Sequence, residues 1–185
     1  MWEAIAAIAA VVGALVTAGG LYFVARQIKV GRESIRAQFI NELSKEAASM
    51  YDTYTKLLPG EAWSSAEAGP QSLEERAKLI AYLGFFAKIK YLIEIKAIDL
   101  KTVDRMFAFR FFLIAHNRHV QEQILYSTLY EGFWAGIFGL HYEWTKFRIA
   151  QNEKIPWSEN SLESYDQDRY LLAIQNQGRK GLIVR

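Results

Sequence analysis

Apolar positions fall along this chain in three patterns, and each predicts a different kind of helix. Residues 4 to 25 read AIAAIAAVVGALVTAGGLYFVA, 22 positions with no charge and only Thr17 and Tyr22 polar. A helix needs about 20 such residues to cross the hydrocarbon core of a bilayer, so this stretch predicts one transmembrane span. Beyond Arg26 the pattern turns periodic. Ile28, Ile35, Phe39, Leu43, Ala47, Met50, Tyr54 and Leu57 recur at helical spacing, with Arg32, Arg36, Asn41, Glu42 and Lys45 between them. That is an amphipathic stalk helix over 26–58, continuous with the span, with Gly31 as its one weak point and Pro59-Gly60 as its end.

The third pattern is apolar nearly all round. Residues 59–72 (PGEAWSSAEAGPQS) read as a loop pinned by Trp63, and Ser72 with Glu75 forms a capping box that starts the next helix. Leu79, Tyr82, Leu83, Phe86, Ile89, Leu92, Ile93 and Ile95 then leave no wide polar face as far as about Ala97. Such a helix is central in its bundle or touches another apolar surface. Lys90 and Glu94 stand at i,i+4 and can pair. Asp99 is placed to cap a further helix over Leu100–Asn117. A last helical stretch runs from Val120 to Gln151, with a jog near Ser127 and an aromatic face of Tyr130, Phe133, Trp134, Phe138, Tyr142, Trp144 and Phe147. No window alternates at period two.

The fold class expected is therefore all-α. A single N-terminal transmembrane helix (1–25) continues into an antiparallel bundle of four to five helices (26–151), followed by an irregular polar C-terminal arm (152–185). The arm holds five basic and five acidic residues, and Leu162 to Gln175 has the pattern of one more short helix.

Charge orients the span. Arg26, Lys29, Arg32 and Arg36 follow it against one Glu33, while Met-Trp-Glu precedes it with no Lys or Arg. Signal peptides begin positive, so an uncleaved anchor is expected. The positive-inside rule places Met1 outside and the C-terminal domain in the cytoplasm. Trp2 and Tyr22 stand near the two ends, at the level of an aromatic belt. Within the span Ala6, Ala10, Ala14 and Ala18 form one i+4 stripe, with Ala9, Gly13 and Thr17 beside it. Small faces let helices approach closely in lipid, so these residues are candidates for packing on a second transmembrane helix, in a partner subunit or another copy of the chain. The competing reading is insertable filler.

Composition removes several chemistries. There is no cysteine, hence no disulfide, thiolate nucleophile or sulfur-ligated metal. The net charge of +2 does not by itself suggest a nucleic-acid binder. Residues 76–119 carry nine Lys or Arg against three acids, but spaced along helices as a solvated face is. Lipid headgroups come second as an explanation of that charge, and no nucleic-acid partner is expected. No phosphate loop or nucleotide fingerprint occurs, and no cofactor is expected.

Two local features bear on chemistry. In His116-Asn117-Arg118-His119 the i,i+3 spacing of His116 and His119 can set two imidazoles on one face, with His141 or Glu131 as further metal ligands. The plainer reading is a polar helix end. Arg110, inside FAFRFFL, needs a partner, and a structural ion pair with Glu94 or Glu131 is expected ahead of an anion clamp.

In layout the chain resembles a family of bacterial membrane-anchored helical proteins of unknown function. The stretches that carry the likeness are Arg26-Gln-Ile-Lys-Val-Gly-Arg-Glu-Ser-Ile-Arg36, then Phe85 to Phe107 around Ile98-Asp99, then Trp134 to Trp144. The resemblance implies a bacterial inner (cytoplasmic) membrane protein and brings no catalytic residues. The function expected is a non-catalytic accessory or interaction subunit of a larger membrane complex, energy-transducing assemblies included. The alternatives are a self-associating membrane-tethered regulator or stress or phage-defence effector, and a membrane-proximal enzyme using His116, His119 or Arg110.

Overall fold

The structure is a computed structural model that describes residues 2–64, 69–127 and 133–160, with side chains from residue 20 to 159 within those ranges. All regular structure among the described residues is helical, as the absence of period-two alternation predicts. The elements are α1 (Trp2–Ser49), α2 (Tyr51–Lys56), α3 (Leu73–Glu94), α4 (Leu100–Ala115), α5 (Arg118–Val120) running into a π-helical turn (Gln121–Leu125), α6 (Ala135–Ala150) and a closing 3₁₀ turn (Ser158–Asn160). The chain divides into two compact units, Met1–Glu42 and Leu43–Arg185, which part inside the predicted stalk.

In the first unit α1 passes Gly31 without a break, and a side chain added there would meet nothing. Every residue from Gly20 to Gln38 is exposed. Ile28 and Ile35, expected on a buried stripe, are among them. Residues 1–19 have no described side chains, so the packing residues Ala6, Ala9, Ala10, Gly13, Ala14, Thr17 and Ala18, the interface residue Trp2 and most of the predicted span lie outside the described residues. Among the described residues no helix is long and apolar enough to cross a membrane.

In the second unit the stalk pattern does become core. Leu43, Ala47 and Leu57 are buried. The helix does not run unbroken to Leu58, however: α1 ends at Ser49, Met50 makes a turn, and α2 stops at Lys56. Gly60, at φ 85°, carries the following turn in a conformation that favours glycine. Trp63 pins the loop as expected. It is buried, its N–H donates to the Lys56 carbonyl at 2.8 Å, and Lys56 Nζ sits 4.9 Å from its ring centre.

Both predicted caps form. Ser72 Oγ accepts the Glu75 N–H at 3.1 Å, and Glu75 reaches back to accept the Gln71 N–H at 3.0 Å. Asp99 Oδ1 accepts the Thr102 N–H at 2.7 Å. Helix α3 ends at Glu94, short of Ala97, because Lys96 turns left-handed at φ 59°. The bundle core is aromatic. Phe85 and Phe86 of α3 meet Phe107 and Phe111 of α4, and Trp144 of α6 stacks on Phe111 with ring centres 4.9 Å apart. Gly136 lets α6 come close to α3, where a Cβ would stand 3.8 Å from that of Ala87.

The helical stretch expected over Val120–Gln151 runs through the end of α5 and the π turn to Leu125, stops at the expected jog near Ser127 and resumes as α6, with residues 128–132, Glu131 included, outside the described residues. Residues 161–185, and with them the short helix expected over Leu162–Gln175, lie outside as well.

Candidate functional site

The site grows from the C-terminal end of α4. The last four carbonyls of a helix have no partner within it, and here side chains supply some of the donors. Gln121, fully buried in the π turn, donates Nε2–H to the carbonyl of Ala115, the last residue of α4, at 2.8 Å. Asn117 caps α5, accepting the Val120 N–H at 3.1 Å, and donates to the Trp63 carbonyl at 2.7 Å. Within the polar run His116–His119, the Asn117 side chain thus serves backbone groups of two segments.

His116 follows Ala115 and is turned into the core. Its Nε2 lies 2.8 Å from Nε2 of His141, in the middle of α6, and its Nδ1 lies 3.1 Å from the Pro156 carbonyl. The two residues are 3% and 9% exposed, and Phe112 contacts both rings. This geometry fixes the tautomers of the neutral pair by assignment. A carbonyl only accepts, so His116 carries its hydrogen on Nδ1 and offers the Nε2 lone pair. His141 must then donate from Nε2. Burial holds His116 below the ordinary imidazole value, against smaller upward pulls from the Pro156 and Trp157 backbone and Glu159. Burial, and then His116 itself, push His141 down to about 3. At neutral pH the pair is uncharged, one proton lies between the rings, and the available chemistry is uptake of a further proton.

His119 is placed differently from the sequence expectation. Its ring lies against Gly69, whose missing side chain makes the room, and His141 takes the place beside His116 assigned to it. No group of three or more His, Asp, Glu or Cys able to hold a metal occurs among the described residues. His141 had a signal in the sequence. Ile137, Leu140, His141 and Trp144 form the buried stripe of α6, so this histidine occupies a core position of its helix.

Arg110 requires a correction. It does not pair with Glu94, which instead reaches Lys90 at 3.2 Å as its i,i+4 spacing predicts. Arg110 Nη1 donates to the Ala47 carbonyl at 3.1 Å, and its guanidinium lies 4.7 Å from the Tyr54 ring centre. Ala47 lies in the last turn of α1, where carbonyls lack partners and the helix dipole favours a cation, so the negative end of that helix holds the guanidinium. The other expected partner, Glu131, lies outside the described residues.

A largely buried ion pair stands elsewhere among the described residues. Asp104 Oδ1 accepts from Arg148 Nη1 at 2.8 Å and from Trp144 Nε1 at 2.6 Å, tying α4 to α6. These side chains are 10% and 15% exposed, so the pair is shielded from water. Lys90 makes a second inter-helix link, to Glu143 at 2.6 Å. Of the interface residues, Tyr22, Arg26, Lys29, Arg32 and Arg36 are all exposed on α1.

Comparison with family models, with curated proteins and with solved structures found no match. The likeness in layout to membrane-anchored helical proteins therefore rests on the residues quoted for it, and any function has to be read from this chain's own chemistry.

Proposed function

We propose that the chain is a non-catalytic accessory or interaction subunit of a larger membrane protein complex. It is held in a bacterial inner membrane by residues 4–25, with Met1 outside and the helical bundle in the cytoplasm. One observation carries the reading. At the end of the uncharged stretch, Leu21, Tyr22, Phe23 and Val24 are 67, 67, 62 and 53% exposed. Four consecutive residues point to every side of a helix at about 100° each, so every face of this turn is exposed. A helix apolar all round is stable only inside lipid or among other helices. Arg26, Lys29, Arg32 and Arg36 follow at intervals of three and four, on one side of the helix and at the level where basic residues meet cytoplasmic headgroups.

The partner is the bilayer together with another transmembrane helix, packed on the small face of Ala6, Ala10, Gly13, Ala14 and Ala18. The test is gentle detergent extraction followed by native gel electrophoresis and identification of the co-migrating chains. A defined hetero-complex that dissociates when Ala10→Leu and Ala14→Leu are introduced supports the proposal. A chain that migrates alone as a monomer sinks it. A homo-oligomer would favour the self-associating effector instead.

A further inference from the structure

The pair of buried imidazoles has a position in the fold that its core role does not require. It joins three separate pieces of chain: the end of α4 through His116, the middle of α6 through His141, and the strap of residues 152–160 through the Pro156 carbonyl. We propose that His116 and His141 form an acid-released clasp that holds this strap on the bundle and lets it go when the pair takes up a proton.

Among the described residues, the side-chain contacts that hold the strap converge on one region. Arg148 Nε donates to the Lys154 carbonyl at 2.9 Å and Nη2 pairs with Glu153 at 3.1 Å. The ring of Trp157 rests on Phe109 at 4.9 Å. Asn152 and Trp157 both stand at positive φ, 55° and 61°. For a bulky residue such as Trp that conformation is strained and persists only while its surroundings enforce it. The strap therefore has local strain to relieve once a contact is lost.

Proton bookkeeping says how acid removes the contact. In the neutral pair, His116 Nδ1–H faces Pro156 and His141 Nε2–H faces His116 Nε2. An added proton has two places to go. On His116 Nε2 it meets the N–H of His141 at 2.8 Å, two hydrogens directed at each other. On His141 Nδ1 it places a charge on a buried ring that packs on Phe111 and Phe112. A second proton makes two cations that cannot share the site. Among the described residues, the charged groups that act on the pair are Glu159, from the strap, on His116, and His116 itself on His141. Glu159 favours the charged form of His116 but does not outweigh burial. His116 sits past the end of α4 while His141 is embedded mid-helix, so His116 is the ring that swings out, and the Pro156 carbonyl loses its donor with it.

The test uses the full chain in detergent. Because the sequence has no cysteine, Ser158→Cys gives one exposed site for a nitroxide label on the strap. Electron paramagnetic resonance then reads the ratio of mobile to immobile label from pH 8 to 4.5. If His141 regains its ordinary value when the clasp opens, that ratio rises roughly thirty-fold by pH 5. The same rise is expected with His119→Gln. It is abolished with His116→Asn plus His141→Gln, which keep neutral donors at the Nδ1 and Nε2 positions. A label that stays immobile to pH 4.5 while the far-ultraviolet spectrum remains native overturns the proposal, as does an unchanged response in the double variant. Should that variant not fold, nitrogen-15 spectra of the unsubstituted imidazoles decide: protonation without strap release, or release without protonation, overturns it equally.

Discussion

Replacing Asp104 with Asn tests the packing account at its most loaded point. The carboxylate oxygen Oδ1 serves two donors from α6 at once, Trp144 Nε1 at 2.6 Å and Arg148 Nη1 at 2.8 Å. Asn keeps the shape and one carbonyl oxygen but removes the charge. Arg148, 15% exposed, is left with Glu153 at 3.1 Å and the Lys154 carbonyl at 2.9 Å. Removing one partner of a buried pair costs about 3–5 kcal/mol. The residual contacts put Asp104→Asn at the lower end, about 3 kcal/mol. Arg148→Met should cost a similar amount, because the carboxylate then keeps only the indole. Since both lose the same interaction, the double variant should fall about 2 kcal/mol short of their sum. A domain is typically stable by only about 5–15 kcal/mol, so the loss is readily measured by urea unfolding in mild detergent at pH 7.5, followed by far-ultraviolet circular dichroism. Asp104→Asn within about 0.5 kcal/mol of the parent, or a strictly additive double variant, would refute the reasoning.

Three further outcomes follow from the same contacts. Arg110→Met should cost about 2 kcal/mol by removing the charged donor to the Ala47 carbonyl and the Tyr54 ring contact, whereas Glu94→Ala, removing an exposed carboxylate from Lys90 that still keeps Glu143, should cost at most about 1 kcal/mol; the same unfolding curves decide. Gly69→Ala would drive a Cβ into the His119 ring and should cost about 1–3 kcal/mol, with most of the loss recovered in Gly69→Ala/His119→Ala. Acid should weaken the fold. His141, at about 3 when folded against 6.5 when free, is protonated first in the unfolded chain. Its contribution is complete above about pH 7.5 and is lost as pH falls through 6.5 toward 3, amounting to about 2 kcal/mol by pH 5. His141→Gln should flatten that slope in unfolding curves taken from pH 8 to 5, and an equal slope in the variant would count against the assignment.

What was legible in the sequence was local, and what was not was tertiary. Ser72 and Asp99 announce their caps because an N-cap needs only residues three positions apart. The aromatic density of α3 and α4 announces a core. The stalk pattern is also real, yet periodicity cannot say where a covering partner exists: Leu43 and Ala47 are buried, while Ile28 and Ile35 on the same repeat are exposed. Arg110 advertises a buried cation, but its partner is a backbone carbonyl 63 residues away that exists only because α1 ends there. Asp104 and Arg148 are 44 residues apart and carry no mutual signal. The histidine site was half visible. The cluster at 116–119 draws attention to spacing along one helix, whereas the pairing that forms is set by which helices pack together, and only the core position of His141 on α6 hints at it.

The central claim is that residues 4–25 cross a membrane with the bundle on the cytoplasmic side. A chain without cysteine allows it to be tested directly, by placing a single cysteine at Glu3 or at Ser158 and labelling intact bacterial cells and inverted membrane vesicles with a thiol reagent that does not cross lipid. Labelling of Glu3→Cys is expected in cells and of Ser158→Cys only in inverted vesicles, with both retained in the membrane after alkaline carbonate extraction. The reverse labelling pattern, or release of the chain by carbonate, would contradict it.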